Sequence, residues 1–376
     1  MIKIGISGQN GFIGWHLAQT VMLDPENFTL IPFERELFES DPKLDAFVAS
    51  CDAIIHLAGM NRHPDPQVIY DTNIELSEKL VASLERTNSQ AHVLFSSSSQ
   101  EQSDNLYGRS KRLAREKLTN WAKTNTQRFT GLIIPNVFGP FSKPFYNSVV
   151  ATFCHQITHR GTPKIEKDCQ INLIYVGDLV SRMIDEVIKG KSEKTFVKTS
   201  EIPHQMEIKV SGILEKLNYF HTSYVDKHEV PALHSVFDLQ LFNTFLTYIK
   251  MESFFPRPFK LNMDERGTFV ELARMSVSGQ TSFSTTVPGI TRGNHFHTRK
   301  IERFAVIKGK ATIQFRKIGT DKVYSFDLDG DKPAYVDMPI WYTHNITNTG
   351  DELLYTVFWI NEPYNSDDQD TYFESV

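Results

Sequence analysis

The sequence opens with an apolar run, Met1–Ser7, then a glycine loop, Gly8-Gln9-Asn10-Gly11-Phe12-Ile13-Gly14, then an amphipathic stretch, Trp15–Met22. Few folds use that order. A short buried strand, a tight turn and a helix make the first crossover of a parallel sheet. The glycines let backbone N–H groups approach a pyrophosphate at the positive end of the helix. A glycine-rich loop alone says little, but its place between strand and helix gives it weight. The pattern then repeats. Ala53–Leu57, His92–Ser96 and Gly131–Pro135 are apolar runs of the buried-strand kind. Ile74–Glu85 and Ser110–Lys123 carry apolar residues at helical spacing. This alternation predicts an α/β domain with a Rossmann-type, doubly wound parallel sheet over residues 1–250.

The texture changes near Lys250. Phe254–Pro256–Pro258 has two prolines and few helical features, which suits a boundary. Short β-rich pieces follow: Thr268–Ala273, Phe304–Val306, Ala311–Arg316, Lys322–Asp327 and Leu353–Ile360. Turn residues such as Gly309-Lys310 and Asp329-Gly330-Asp331 separate them. This predicts a second, all-β domain over residues 251–376. The acidic stretch Asp367, Asp368 and Asp370 reads as a solvated end.

Bulk composition excludes several classes. A formal net charge of −5 with no Lys/Arg-rich block argues against a nucleic-acid binder. Cys51, Cys154 and Cys169 show no paired spacing, so neither a thiolate zinc site nor a disulfide framework is indicated. No targeting segment opens the chain, and no apolar run is long enough to span a bilayer. The expectation is a cytoplasmic protein with no membrane or nucleic-acid partner.

Two residue sets carry chemistry. In the first, the glycine loop (Gly8, Gly11, Phe12, Ile13, Gly14) is followed at the end of the second strand by Glu34-Arg35. Glu34 suits the ribose hydroxyls of NAD, whereas the Arg35 fork suits the 2′-phosphate of NADPH, which is the preferred reading. The run Ser96–Ser99 then precedes Tyr107-Gly108-Arg109-Ser110-Lys111. Tyr and Lys four residues apart share one helix face. There the ammonium is expected to lower the phenol pKa, so that Tyr107 exchanges a proton near neutral pH.

This part resembles the extended short-chain dehydrogenase/reductases that modify sugar nucleotides. The resemblance rests on Gly8/Gly11/Gly14, His56-Leu57-Ala58-Gly59, Thr72-Asn73, the serine run, Tyr107/Lys111 and Pro135–Pro140. It implies that Leu57, Ala58, Gly59 and Asn73 line the cofactor. It implies Tyr107 as general acid, Lys111 on the ribose, Ser98 (with Ser97 as the alternative) on the substrate oxygen, and Asn136 on the sugar or its diphosphate. Ile133 and Ile134 stand where the family often has Arg, so cofactor contacts from that strand are left open.

The second set is His295, His297, Glu302 and His344. Residues two apart on a strand share a face. Three imidazoles and a carboxylate suit a divalent metal, zinc first. With Gly309 and Pro339, the order resembles the two cupin motifs and implies a small β-barrel. Asp264–Phe269 and Ile290–His295 also resemble the dTDP-sugar 3,5-epimerase branch of cupins. That branch implies substrate contacts from Arg266 and Arg292, and makes the histidine at 295 a base instead of a ligand.

The fusion itself, with Asn61-Arg62, Tyr146-Asn147-Ser148-Val149, Tyr342–Ile346 and Asp370–Phe373, resembles the CapF-type family of bifunctional capsular-polysaccharide enzymes. That resemblance implies a homodimer with Asn147 at the substrate. It also implies two reactions on a UDP-linked 4-keto-6-deoxy amino sugar. The cupin epimerises C3 of a UDP-2-acetamido-2,6-dideoxy-4-hexulose. The dehydrogenase then reduces C4 with NADPH to UDP-N-acetyl-6-deoxy-L-talosamine, on the route to UDP-N-acetyl-L-fucosamine. The alternative is a 4-ketoreductase whose cupin is purely structural. A cofactor-sensing regulator without activity is disfavoured because Tyr107 and Lys111 are both present.

Overall fold

The computed structural model describes residues 1–192, 195–259, 261–264, 267–270, 272, 279–362 and 365–376. The chain divides into two compact units, Met1–Thr152 with Lys167–Val210, and Phe153–Glu166 with Ser211–Val376.

The first unit is built on a six-stranded parallel sheet. Its strands are β1 (Ile2–Ser7), β2 (Phe28–Ile31), β3 (Ala53–His56), β4 (His92–Ser98), β5 (Arg128–Ile134) and a final strand, Phe196–Glu201. Across the sheet the order is β2-β1-β3-β4-β5-final. The helices α1 (Phe12–Met22), α2 (Asp41–Ala49), α3 (Pro66–Arg86) and α4 (Leu106–Thr124) fall between the strands. The strands alternate strictly. Ile4, Ile6, Ala53, Ile55 and Leu94 join one core, with Leu17 and Val21 of α1. Ile54, Val93 and Phe95 join the core on the other face, with Leu80 and Leu84 of α3 and Leu118 and Trp121 of α4. Both faces are therefore dry, which is why these strands read as continuous apolar runs. The chain winds from β1 outward to β2, then returns to β3 on the other side. Where that winding reverses, between β1 and β3, a crevice opens at the carboxyl ends of the strands.

The second unit contains two five-stranded sheets. One comprises Arg257–Pro258, Ala334–Met338, Glu302–Lys308, Leu354–Ile360 and Gln280–Thr286. The other comprises Val323–Asp329, Lys310–Lys317, Tyr342–Asn348, Thr291–Phe296 and Tyr372–Phe373. Among the described residues the strand pairings in both are antiparallel, as the cupin resemblance implies.

The helical segment 211–250 belongs to this unit and not to the first, so the change of texture near Lys250 lies inside a unit. Two features bind it there. Phe220, Phe242 and Phe245 are fully buried, and Tyr224 stacks on Phe254. The Tyr224 hydroxyl also donates to Asp337, which pairs with Arg303 across two strands through bonds of 2.8 and 3.0 Å. Among the described residues, no helix is long and apolar enough to cross a membrane.

Candidate functional site

The crevice collects most of the first residue set. Gly8 sits at the end of β1 with φ +82°, a conformation that favours glycine. Gly11 caps α1 without any side-chain bond, and Gly14 lies in its first turn. A Cβ on Gly14 would stand 2.1 Å from the Gly8 carbonyl oxygen, and one on Gly8 would stand 2.8 Å from the Ala58 nitrogen. The loop is therefore wound too tightly for side chains and presents backbone instead. Leu57-Ala58-Gly59 leaves the end of β3 beside it: the Leu57 N–H donates to the Ser7 carbonyl at 3.0 Å. Asn73 of α3 locks the same corner, exchanging bonds with the Met60 backbone at 2.7 and 2.9 Å and donating to Ser110 at 3.0 Å. Glu34 and Arg35 lie just beyond β2, next to β1 in the sheet, and both are exposed.

Lys111 and Tyr107 stand on one face of α4, as their spacing predicts. The Lys111 ammonium is buried and donates to the Ser96 carbonyl at 2.7 Å. Burial pushes it down to about 8. It faces the Gly59 corner, 3.6 Å from where a Cβ on that glycine would lie. The two serines divide cleanly. Ser97 Oγ is turned under the strand end and donates to Glu101 at 2.5 Å. Ser98 Oγ accepts from the Gln100 N–H at 3.2 Å and stands beside the Tyr107 phenol. The sequence expectation of a lowered phenol is reversed: burial raises Tyr107, the neighbouring Ser98 hydroxyl works against it, and the net direction is upward.

Sequence reasoning missed the support beneath this pair. Glu101 is 5% exposed and is gripped by Arg115 of α4 through bonds of 2.9 and 3.0 Å. The clamp ties the turn carrying Ser98 to the helix carrying Tyr107. The available signal was a carboxylate four residues after Ser97 and an arginine one turn beyond Lys111. His56 was also missed as a site group. Burial pushes its imidazole down to about 3, with the Lys111 charge adding to the effect. It is therefore neutral, bonded to Ser7 at 2.5 Å. Of the expected substrate residues, Asn136 is exposed and donates to the Asn172 carbonyl at 3.3 Å. Asn147, at φ +100°, donates to the Asn61 carbonyl at 2.5 Å.

The second set also converges. One ligand-capable atom from each of His295, His297, Glu302 and His344 lies within 4.8 Å of the others. Glu302 reaches His344 at 2.9 Å, His297 at 3.3 Å and His295 at 3.8 Å. A tetrahedral zinc with bonds of about 2.0–2.2 Å holds its ligand atoms about 3.4 Å apart, so the cluster is already close to that spacing. Glu302 opens the next β segment in sequence, Glu302–Lys308. It lies on the facing sheet, whereas His295 and His344 are direct cross-strand partners. His297 lies one residue past its strand, after a bulge at Gly293–His295.

The ring nitrogens indicate what the cluster can hold. His344 Nδ1 bonds the Tyr342 carbonyl at 3.1 Å, and His297 Nδ1 bonds the Asp370 carbonyl. A carbonyl accepts only, so both Nδ1 atoms carry a proton, and each ring directs Nε2 into the cluster, where it offers a lone pair to a cation once it is not protonated. His297 Nε2 is buried with no hydrogen-bond partner. Burial alone would raise the Glu302 carboxyl, but the three histidines around it, with His344 hydrogen-bonded at 2.9 Å, hold it well below the usual range. The donor set fits a divalent cation. Arg292 is held by the Thr285 carbonyl and the Thr286 hydroxyl, both at 3.0 Å. Arg266 lies outside the described residues. Asp370, read from sequence as solvated, is 5% exposed and belongs to this site.

Residues 4–196 match the model of the NAD dependent epimerase/dehydratase family. The chain belongs to that family. This epimerase/dehydratase family member also matches, over residues 262–372, the polysaccharide biosynthesis C-terminal domain. It is 35% identical over 376 residues to a Pseudomonas aeruginosa protein named UDP-2-acetamido-2,6-beta-L-arabino-hexul-4-ose reductase, covering 100% of this chain and 99% of that one. Its architecture is that of the capsular polysaccharide assembling protein CapF from Staphylococcus aureus. The TM-score is 0.62 at 32% identity, over 99% of this chain and 100% of that one. The fold of the first part also resembles RMD from Pseudomonas aeruginosa complexed with NADPH, with a TM-score of 0.51 at 21% identity, over 58% of this chain and 81% of that one.

Proposed function

We propose that the chain is a bifunctional sugar-nucleotide enzyme of capsule or O-antigen synthesis. In this reading it inverts C3 of a UDP-2-acetamido-2,6-dideoxy-4-hexulose in the cupin and reduces C4 in the dehydrogenase unit. The observation that carries it is the Ser98–Tyr107 pair, with Lys111 buried behind it, beside a crevice lined by backbone. The relatives support it: the Pseudomonas aeruginosa protein is named for reducing such a hexulose.

Gly8, Gly11, Phe12, Ile13 and Gly14 would cradle the cofactor pyrophosphate. Leu57, Ala58, Gly59 and Asn73 would line its course, and Arg35 would take the 2′-phosphate of NADPH. When bound, NADPH supplies the hydride for C4. Tyr107 delivers the matching proton to the C4 oxygen, and Ser98 holds that oxygen by a second hydrogen bond. The raised phenol suits a group that must stay protonated until the oxygen becomes basic. Lys111 supplies positive charge behind the phenol and a donor to the ribose. Glu101 and Arg115 keep Ser98 in register with Tyr107. Asn136 and Asn147 face the sugar or its diphosphate.

In the barrel, the C4 ketone acidifies the C3 proton. A base removes that proton, the charge spreads onto the C4 oxygen as an enediolate, and a proton returns to the opposite face. His295, His297, Glu302 and His344 would hold a divalent metal, zinc by ligand type, whose positive charge suits the enediolate when present. Arg292 supplies a further cationic contact. Reduction then removes the ketone and fixes the inverted centre, giving UDP-N-acetyl-6-deoxy-L-talosamine. As in the family it resembles, the enzyme acts as a homodimer in the cytoplasm.

The test is NADPH oxidation with the UDP-4-keto-6-deoxy sugar in deuterated water, followed by NMR of the product. Deuterium at C3 with the talo configuration at C4 supports both activities. Deuterium uptake that persists in a folded His295→Ala variant removes the metal cluster from the epimerisation. A product with unaltered C3 leaves reduction alone.

A further inference from the structure

Thr298, Arg299 and Lys300 are the first three of the four residues that separate His297 from Glu302. All three turn toward one distant segment. The backbone N–H groups of Thr298, Arg299 and Lys300 donate to the Asp370 carboxylate at 3.0, 3.0 and 3.1 Å, and the Thr298 hydroxyl donates to it at 2.6 Å. Lys300 Nζ donates to the Gln369 carbonyl at 2.7 Å, and Arg299 reaches Asp368 at 3.0 Å. The carbonyl of Asp370 itself receives His297 Nδ1. Two residues on, Tyr372–Phe373 pairs with the strand carrying His295, placing Phe373 opposite that histidine.

A carboxylate holding four donors is buried at little cost, because each bond is charge-assisted. It also satisfies three amides of a turn that no ladder pairs. That turn has a demanding task, since it must return the chain from one sheet to the other and leave His297 and Glu302 aimed at the same point. Asp370 fixes the turn through its side chain and the His297 ring through its carbonyl.

We propose that Asp370 is the positioning residue of the metal cluster, and that the segment Asp368–Glu374 is a strap setting how tightly a divalent cation is held. This rests on reading the four side chains as ligands. Outer partners of ligating histidines contribute about 10–100-fold in metal affinity, and Asp370 serves one such histidine directly and the span to Glu302 besides.

The experiment uses the full chain, with zinc and with cobalt as a spectroscopic stand-in, in wild type, Asp370→Ala, Asp370→Asn and His297→Ala. The readouts are zinc per chain after dialysis, zinc release to a chromogenic chelator, and the visible cobalt absorption band. Asp370→Ala should lose about 10–100-fold in zinc affinity, release zinc faster and shift the cobalt band. Asp370→Asn should fall between it and wild type, because its amide keeps one acceptor oxygen but turns a donor toward a donor. If Asp370→Ala does not fold, Thr298→Val removes a single donor and should still release zinc measurably faster. Zinc affinity and cobalt spectrum unchanged in the folded alanine variant, or release unchanged in Thr298→Val, overturns the proposal. Wild type that takes up no zinc, or His297→Ala that binds it equally well, overturns the ligand reading itself and the strap with it.

Discussion

Replacing Gly14 with alanine sets two known effects against each other. Alanine is favoured over glycine in a helix interior by about 1 kcal/mol. Gly14 lies in the first turn of α1, so propensity alone makes the variant a stabilising one. Space argues the other way. The new Cβ would lie 2.1 Å from the Gly8 carbonyl oxygen and 2.9 Å from both Gln9 Cα and Gln9 O. An ordinary C···O contact is about 3.3–3.6 Å, so the loop would have to move by more than about 1 Å. Every atom in the way is backbone, and none can swing aside. Overpacking of this kind costs about 1–3 kcal/mol, which outweighs the helix gain. The shift falls on the amides that would meet the pyrophosphate, so cofactor affinity should suffer more than stability. We expect NADPH binding by calorimetry to weaken by at least about tenfold, equivalent to about 1.4 kcal/mol, while C3 deuterium exchange is unaffected. Gly11→Ala is the internal control. Its Cβ would meet only the Gly8 oxygen, at 3.1 Å, and its φ of −79° suits any residue. It should weaken NADPH binding less. Gly14→Ala binding NADPH within about twofold of wild type, or more tightly than Gly11→Ala, refutes the packing argument.

Three further outcomes follow from the same geometry. Tyr107→Phe should lower kcat for ketone reduction by about 10²–10⁴-fold, with C3 exchange retained; reduction at the wild-type rate would remove Tyr107 from proton transfer. Lys111 loses its proton as pH rises through about 8, so kcat/KM for reduction should fall above that pH, and Lys111→Arg should flatten the limb. Stability has the opposite sign: the unfolded chain binds the extra proton between about 8 and the ordinary lysine value, so this group's contribution rises with pH across that window. Finally, Asp337→Ala strands a buried guanidinium and the Tyr224 hydroxyl, and should destabilise the second unit by about 3–5 kcal/mol in urea unfolding. A loss under about 1 kcal/mol would show that water or another group replaces the carboxylate.

Legibility from sequence tracked the locality of each signal. The strands of the first unit were readable because both sheet faces are dry: Ile54 serves one core while Ala53 and Ile55 serve the other, so the whole run is apolar. Tyr107 and Lys111 were readable because four residues on a helix settle their relation without any tertiary information. The edge strand Gln280–Thr286 was not readable. Its sequence, QTSFSTT, is polar, and among the described residues it pairs on one side only, with Leu354–Ile360. Ser98 was preferred to Ser97 on the family resemblance alone; the residues themselves did not show that the Glu101 carboxylate takes the Ser97 hydroxyl. Asp370 was misread because its partners lie about 70 positions away, at 298–300. An acidic run looks solvated until the amides that receive it are placed opposite. The segment 211–250 misled for a similar reason, since its helical texture matches the first unit whereas its aromatic packing and the Tyr224–Asp337 bond place it in the second.

The four clustered side chains come from both layers of the barrel: Glu302 stands on one sheet, His295 and His344 on the other. A cation held there, on the function proposed above, would be a clasp as well as a reagent. Closing the barrel and preparing its chemistry would then use the same bonds, and no ligand variant would alter one without loosening the other. A dead His344 variant would leave cause and collapse entangled. The two are separated at the rim, by variants that slow proton transfer while the clasp stays shut.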